Sequence, residues 1–125
     1  MAHTFYELNI WKKGHELLIE VYKVTAKYPP TEKYGLSNDT RRSGNSIIAN
    51  IAEAHGRYFF ADKVRVLYIA RGEVEEIRSH LRVAESLSYI SNEKFQWFDQ
   101  EYEGLAKGIS SYIASLEQQS QNQHD

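Results

Sequence analysis

The stretch FQWFDQEYEGLAKGISSYIASL, Phe95 to Leu116, decides the fold. Its apolar residues Phe95, Phe98, Tyr102, Leu105, Ile109, Tyr112 and Leu116 recur in alternating steps of three and four. That spacing keeps one stripe of a helix against partner helices. A strand would alternate every second residue, and no segment of the chain does so. Just upstream, SYISNEK interrupts the pattern, and Asn92 is suited to cap the helix that follows. Before that break, Phe60, Val64, Leu67, Ala70, Val74, Ile77, Leu81, Ala84 and Leu87 form the stripe of a longer helix, from Phe60 or Ala61 to near Ser88.

Two more helices precede these. Thr40, Gly44, Ile47, Ile51 and Ala54 share a face of a helix predicted to end near His55, with Gly56 suited to its C-terminal cap. Ser37 or Asn38 can cap its start, with Asp39 favourably placed in the first turn. Ile10, Trp11, Leu17, Leu18, Val21, Tyr22, Thr25 and Tyr28 predict a first helix from about Leu8 to Lys27. The chain's two prolines, Pro29 and Pro30, separate it from the second. Four amphipathic helices joined by short loops predict an all-α fold, an antiparallel up-and-down four-helix bundle. Residues 1–117 are read as one domain and 118–125, QQSQNQHD, as a polar disordered tail.

A chain of 125 residues is one domain by size and can bury roughly two-thirds of the surface it exposes when unfolded. It contains no cysteine, which excludes disulfides, thiolate metal sites and a cysteine nucleophile. No stretch approaches the ~20 apolar residues that span a bilayer, and the opening residues lack the apolar run of a signal peptide. A cytoplasmic protein with no membrane partner is expected. The net charge of −2 weighs against strong electrostatic binding of nucleic acid. The charge is uneven, however. Residues 41–82 hold 8 basic against 5 acidic side chains, and residues 91–125 hold 2 against 6.

With the helices placed, LSNDTRRSGNSIIANIAEAHGR and VLYIARGEVEEIRSHLRVAESLSYI closely resemble the four-helix-bundle family of 23S rRNA intervening-sequence proteins. Members typically read R-R-A-x-x-S-I-x-x-N-I-A-E-G, then G-R, then Y-I-A-R-G-S and a Glu. Arg41, Arg42, Ser46, Ile47, Asn50, Ile51, Ala52, Glu53, Gly56, Arg57, Ile69, Ala70, Arg71, Gly72 and Glu76 fit that pattern. The aromatic opening FYELNIWKKG and the linker YPPTEKYGL extend the resemblance over roughly residues 5–117. Ala54, Glu73 and Ser43 depart from it, standing where glycine, serine and alanine are usual. The resemblance implies a non-enzymatic bundle that assembles as a ring of five subunits. The related accessory variability proteins of diversity-generating retroelements share the pentameric bundle and bind nucleic acid and a reverse transcriptase. They are strongly basic, which this chain is not.

On a helix, Arg42, Ser46, Asn50, Glu53 and Arg57 fall within an arc of about 80°, roughly opposite the apolar stripe. A solvated face is one reading and a ligand site another. The favoured one is an interhelical or intersubunit polar network, because a hydroxyl and an amide stand among the charges at spacings that let them satisfy one another. Arg71, Arg78 and Arg82 share an edge of the third helix with Glu75 and Glu85. A salt-bridged surface is the first reading. The alternative is a phosphate-contacting edge reinforced by Arg41, Arg42, Arg57, Lys63 and Arg65, which the interleaved carboxylates would oppose. In RYFF, Arg57 to Phe60, three aromatics cap a core or fill an oligomer contact before they stack nucleobases.

An enzyme is not expected. A di-iron bundle needs Glu-x-x-His on two helices, whereas Glu76 to His80 and Glu53 to His55 have other spacings. There is no H-E-x-x-H, G-x-S-x-G or phosphate-binding glycine loop. No cofactor or metal is expected. The partners expected are the chain itself, as a homo-oligomer of five, and a protein or nucleic acid second.

Overall fold

The structure, a computed structural model, describes residues 3–124. Met1, Ala2 and Asp125, the outer ends of the two segments expected above, lie outside the described residues. Four α-helices are present among the described residues: α1 (Asn9–Thr25), α2 (Leu36–Gly56), α3 (Phe60–Ser86) and α4 (Asn92–His124). Short 3-10 turns stand at Phe5–Glu7 and Pro30–Glu32. No strand occurs among the described residues, and none of these helices is long and apolar enough to cross a membrane.

Side-chain pairs fix the topology. Thr25 meets Arg41 while Gly14 meets Ile48, so α1 and α2 run antiparallel. Lys63 reaches His55 while Glu76 meets Arg42, which does the same for α2 and α3. Arg71 meets Ser110 and Arg78 meets Asp99 across α3 and α4, and Ile10 lies by Gly108 while Lys13 pairs with Glu101. α1 therefore closes onto α4 and completes an up-and-down bundle.

The core is the inner stripe of each helix, including Leu17, Val21, Ile47, Ile51, Leu67, Val74, Ile77, Leu81, Phe98, Tyr102, Leu105 and Ile109. Several positions depart from the periodicity: Ile48 and Val66, outside the expected stripes, are buried. Tyr22 and Leu87 are exposed, and Ile113 is buried where Tyr112 is only partly so. Two glycines let helices approach closely. A Cβ on Gly14 would lie 2.5 Å from Ile48 Cγ2, and one on Gly44 would lie 2.9 Å from Leu18 Cδ1 and 3.1 Å from Ile77 Cδ1. A side chain at Gly14 would force Ile48 to move, and one at Gly44 would displace the ends of Leu18 and Ile77.

Helix ends differ in detail from the sequence reading. At the start of α2, the Leu36 N–H donates to Glu32 Oε1 (3.1 Å), and the Tyr89 hydroxyl holds Glu32 Oε2 (2.8 Å). That carboxylate satisfies a free donor, while Ser37 is buried in the first turn. Gly56 is the last residue of α2, followed by extended backbone at Arg57. Lys63 Nζ donates to the Ala54 and His55 carbonyls (3.3 and 2.9 Å), so a cation terminates this helix. At the end of α3, Ser88 has φ 63°, the Tyr89 N–H donates to Ala84 O and the Ser88 N–H to Glu85 O. This is a Schellman cap with serine in the left-handed position that favours glycine. Ser91, one residue before Asn92, caps α4 by accepting from the Lys94 N–H (3.0 Å).

The tail expected from residue 118 is instead the last turns of α4, which is helical to His124. Glutamine is a good helix former, and neither glycine nor proline follows Leu116 to stop the helix. Polarity removes core contacts there without breaking the backbone pattern.

Candidate functional site

The polar stripe of α2 divides into three separate pieces. Arg42 crosses to α3, where its Nη2 donates to Glu76 Oε1 at 2.8 Å. Asn50 Nδ2 donates to the carbonyl of Ser46 (2.8 Å) and to its hydroxyl (3.1 Å), a bond within one turn of the same helix. Arg57, just past the end of α2, pairs back with Glu53 at 2.6 Å. Only Arg42 links two helices. Ser46 and Asn50 are half-buried, and Glu53 and Arg57 are exposed.

The cations of the proposed basic edge point to different sides of the bundle. Arg41 turns toward α1, its Nε donating to Thr25 Oγ1 (2.7 Å) with its guanidinium 4.5 Å from the Tyr22 ring centroid. Arg42, Arg57 and Lys63 hold the partners already named. Arg71 donates to Ser110 Oγ (3.0 Å) and lies over Tyr68. Arg82 lies 3.8 Å from Glu85 and over the Phe95 ring.

Arg78 is the most engaged of these cations. Its Nε and Nη2 donate to the two Asp99 oxygens (2.8 and 3.2 Å), and its Nη1 to Glu75 Oε1 (3.0 Å). These bonds, Asp99 first, raise its pKa and hold it cationic. Arg65 is exposed and has no ion pair among the described residues. The cations therefore do not converge on one surface, and carboxylates neutralise Arg42, Arg57, Arg78 and Arg82.

Of the aromatics that follow α2, Phe60 packs against this chain's core, whereas Tyr58 and Phe59 do not. Tyr58 is 87% and Phe59 65% exposed, packed edge-to-face on each other. Phe60 is partly buried and separates two open clefts. One, of about 420 Å³, lies between Ala61, Val64 and Glu117; the other, of about 380 Å³, lies between Leu8, Lys63, Tyr112 and Leu116. Burial lowers the Lys63 pKa and raises that of Tyr112.

A tighter polar cluster lies along the α2–α3 seam, and the sequence reading did not assemble it. Glu73, Glu76 and His80 follow one another on α3, and Arg42 and Ser43 face them from α2. His80 Nε2 lies 3.5 Å from Glu76 Oε1, without hydrogen-bond geometry. Glu73 and Glu76 stand three residues apart, on the same face of α3. Ser43 is fully buried, and its hydroxyl and Glu73 Oε2 have no satisfactory partner. Burial and the Glu76 charge raise the Glu73 pKa, whereas the Arg42 hydrogen bond lowers that of Glu76. The spacing Glu73, Glu76, His80 is visible in the sequence, but the buried hydroxyl opposite it is a tertiary fact. No cluster of three or more His, Cys, Asp or Glu suited to a metal occurs among the described residues.

The architecture recurs in a solved structure. The crystal structure of a protein of unknown function from the S23 ribosomal protein family of Bacteroides thetaiotaomicron superposes with a TM-score of 0.77 at 26% identity, covering 84% of this chain and 95% of that one. No curated protein matches the chain. The sequence model of the family described as 23S rRNA-intervening sequence protein matches residues 6–111. That span takes in α1, α2 and α3, the first part of α4 and the whole polar stripe of α2, and the chain belongs to this family.

Proposed function

We propose that the protein is a non-catalytic, cytoplasmic scaffold that works as a homo-oligomer, a ring of five as the family resemblance implies. The observation that carries this reading is a pair of glycines. Gly72 and Gly104 stand inside α3 and α4, and a Cβ on either would meet nothing within 4 Å. Each costs about 1 kcal/mol relative to alanine in an exposed helix, with no close approach inside the chain to offset it. Another subunit's backbone brought against these outer faces would supply the reason for both. Exposed Ile69 on α3 and Trp97 on α4 add apolar surface to the same helices. Two different surfaces meeting head to tail generate a closed ring.

Light scattering tests it. The expected mass is about five times the 14.5 kDa protomer, and Gly72→Leu and Gly104→Leu should each lower it while the helical signal persists. A monomer at working concentration overturns the reading.

A second reading, an RNA- or DNA-binding accessory, is favoured by Tyr58 and Phe59, exposed beside Arg57 and the unpaired Arg65. Titration with structured RNA across salt concentrations separates the two. Affinity that falls steeply with salt supports the accessory, and its absence leaves the scaffold and a protein partner.

A further inference from the structure

We infer that Glu73 and Glu76, neighbours on α3, share one proton where α3 meets Arg42 and Ser43 of α2, forming a pH-sensitive clasp that tightens when protonated and loosens as pH rises. The geometry sets the charge problem. Two carboxyl groups stand three residues apart on one face of α3, one with an oxygen enclosed and unpartnered, and one guanidinium, that of Arg42, serves them directly through Glu76 at 2.8 Å. The other groups facing them are His80 on α3 and the neutral Ser43 hydroxyl on α2, while Asp39 on α2 lies near enough to act on Arg42. Arg42 cannot balance two ionised carboxylates as well as Asp39. Like charges at this separation disfavour double ionisation.

The enclosed atoms point the same way. Glu73 Oε2 is shut from solvent with no donor to satisfy it. As a carboxylate oxygen it would be an unpaired buried charge; as the hydroxyl of a protonated carboxyl it donates to Glu76. The asymmetry assigns the proton. Glu76 has the Arg42 hydrogen bond and holds the negative charge, while Glu73, less solvated and without a cation of its own, holds the proton. Protonated, the pair is a short hydrogen bond beside one ion pair. Deprotonated, it places two negative charges over the fully buried Ser43.

The sign follows from linkage. Glu73 binds its proton more tightly folded than unfolded, so its contribution is complete below the unfolded pKa and lost as pH rises through the folded one. Glu76, shifted down by Arg42, contributes above its unfolded pKa and loses that contribution as pH falls. The clasp therefore loosens on the alkaline side of the ordinary glutamate value of 4.5.

Carboxyl carbon-13 titration of the full chain tests this directly. One glutamate should titrate above the exposed glutamates and a coupled second below them, and Glu73→Gln should abolish the upper transition. All glutamates titrating together in the wild type would overturn the proposal, whether or not the variant folds. Thermal melts give a second measure. Glu73→Gln keeps a neutral donor at every pH, so its melting temperature should match wild type in acid, exceed it increasingly through the Glu73 transition and hold a constant margin above it. Parallel curves across that range would equally overturn the clasp.

Discussion

On the α4 side of α3, Arg78 meets Asp99 through two hydrogen bonds, with Glu75 and Glu103 at 3.0 and 3.8 Å. On its α2 side, Glu73 and Glu76 stand three residues apart on one face with Arg42 bonded to only one of them. One edge gathers carboxylates around a cation; the other gathers them around a proton. The contrast is between a contact that keeps its charge across the working pH range and one that cannot. A guanidinium never titrates there, so the α3–α4 edge is a fixed fastener. The α2–α3 edge depends on a proton that solution conditions can remove.

The largest test removes what both edges share. Ile77 is fully buried in the core and lies against the gap left by Gly44. Ile77→Ala should cost about 3 kcal/mol in urea unfolding, and amide exchange should accelerate in both α2 and α4. Faster exchange in one neighbour alone would show that the two edges open independently.

That apolar floor is legible in the sequence, because Val74, Ile77 and Leu81 repeat at helical spacing and burial follows from periodicity. The edges are less so. Arg78 can be placed on one side of α3, but nothing local says that Asp99, rather than Glu75 or solvent, will hold it. The α2 stripe is similar: Ser46 with Asn50 closes within the helix and Glu53 with Arg57 at its end, although their shared face suggests a wider network. Ser43 and Glu73 show only as departures from a familiar motif until packing opposes them. The helix ends escape the sequence for the same reason. Glu32 and Lys63 cap α2 from outside it, replacing the local signals at Ser37 and Gly56.

The next test acts on one edge. Arg78→Ala leaves Asp99, about a quarter exposed, without its two charge-assisted bonds, and should cost about 2 kcal/mol. Arg78→Lys should recover only part of this, because an ammonium cannot reproduce the two-pronged contact. Full rescue by lysine would show that charge alone matters there.

A smaller change leaves both edges in place and acts where α3 ends. Ser88→Gly removes the side-chain penalty of a left-handed residue and should add about 1 kcal/mol. The gain should be the same at every pH, read as a uniform rise in melting temperature. A gain that varies with pH would couple this cap to the carboxyl pair and blur the distinction between backbone strain and charge.

The smallest effect at neutral pH belongs to Arg42→Ala, and its pH dependence carries the sharpest information. Its side chain is 54% exposed, so solvent already screens the bond to Glu76 and its removal should cost less than Arg78→Ala throughout. The Arg42 bond lowers the Glu76 pKa, so its contribution is present above the unfolded glutamate value and vanishes as pH falls through the folded one. The penalty should therefore fade in acid, where the carboxyl pair keeps its protons with or without the guanidinium. In the alkaline direction it should grow past the Glu73 transition, because two carboxylates then stand together with no cation between them. Arg42→Ala combined with Glu73→Gln should lose that alkaline growth and retain the acid fade. If the double variant still worsens with rising pH, the charge that Arg42 answers is not on Glu73, and the α2–α3 edge is an ordinary surface ion pair.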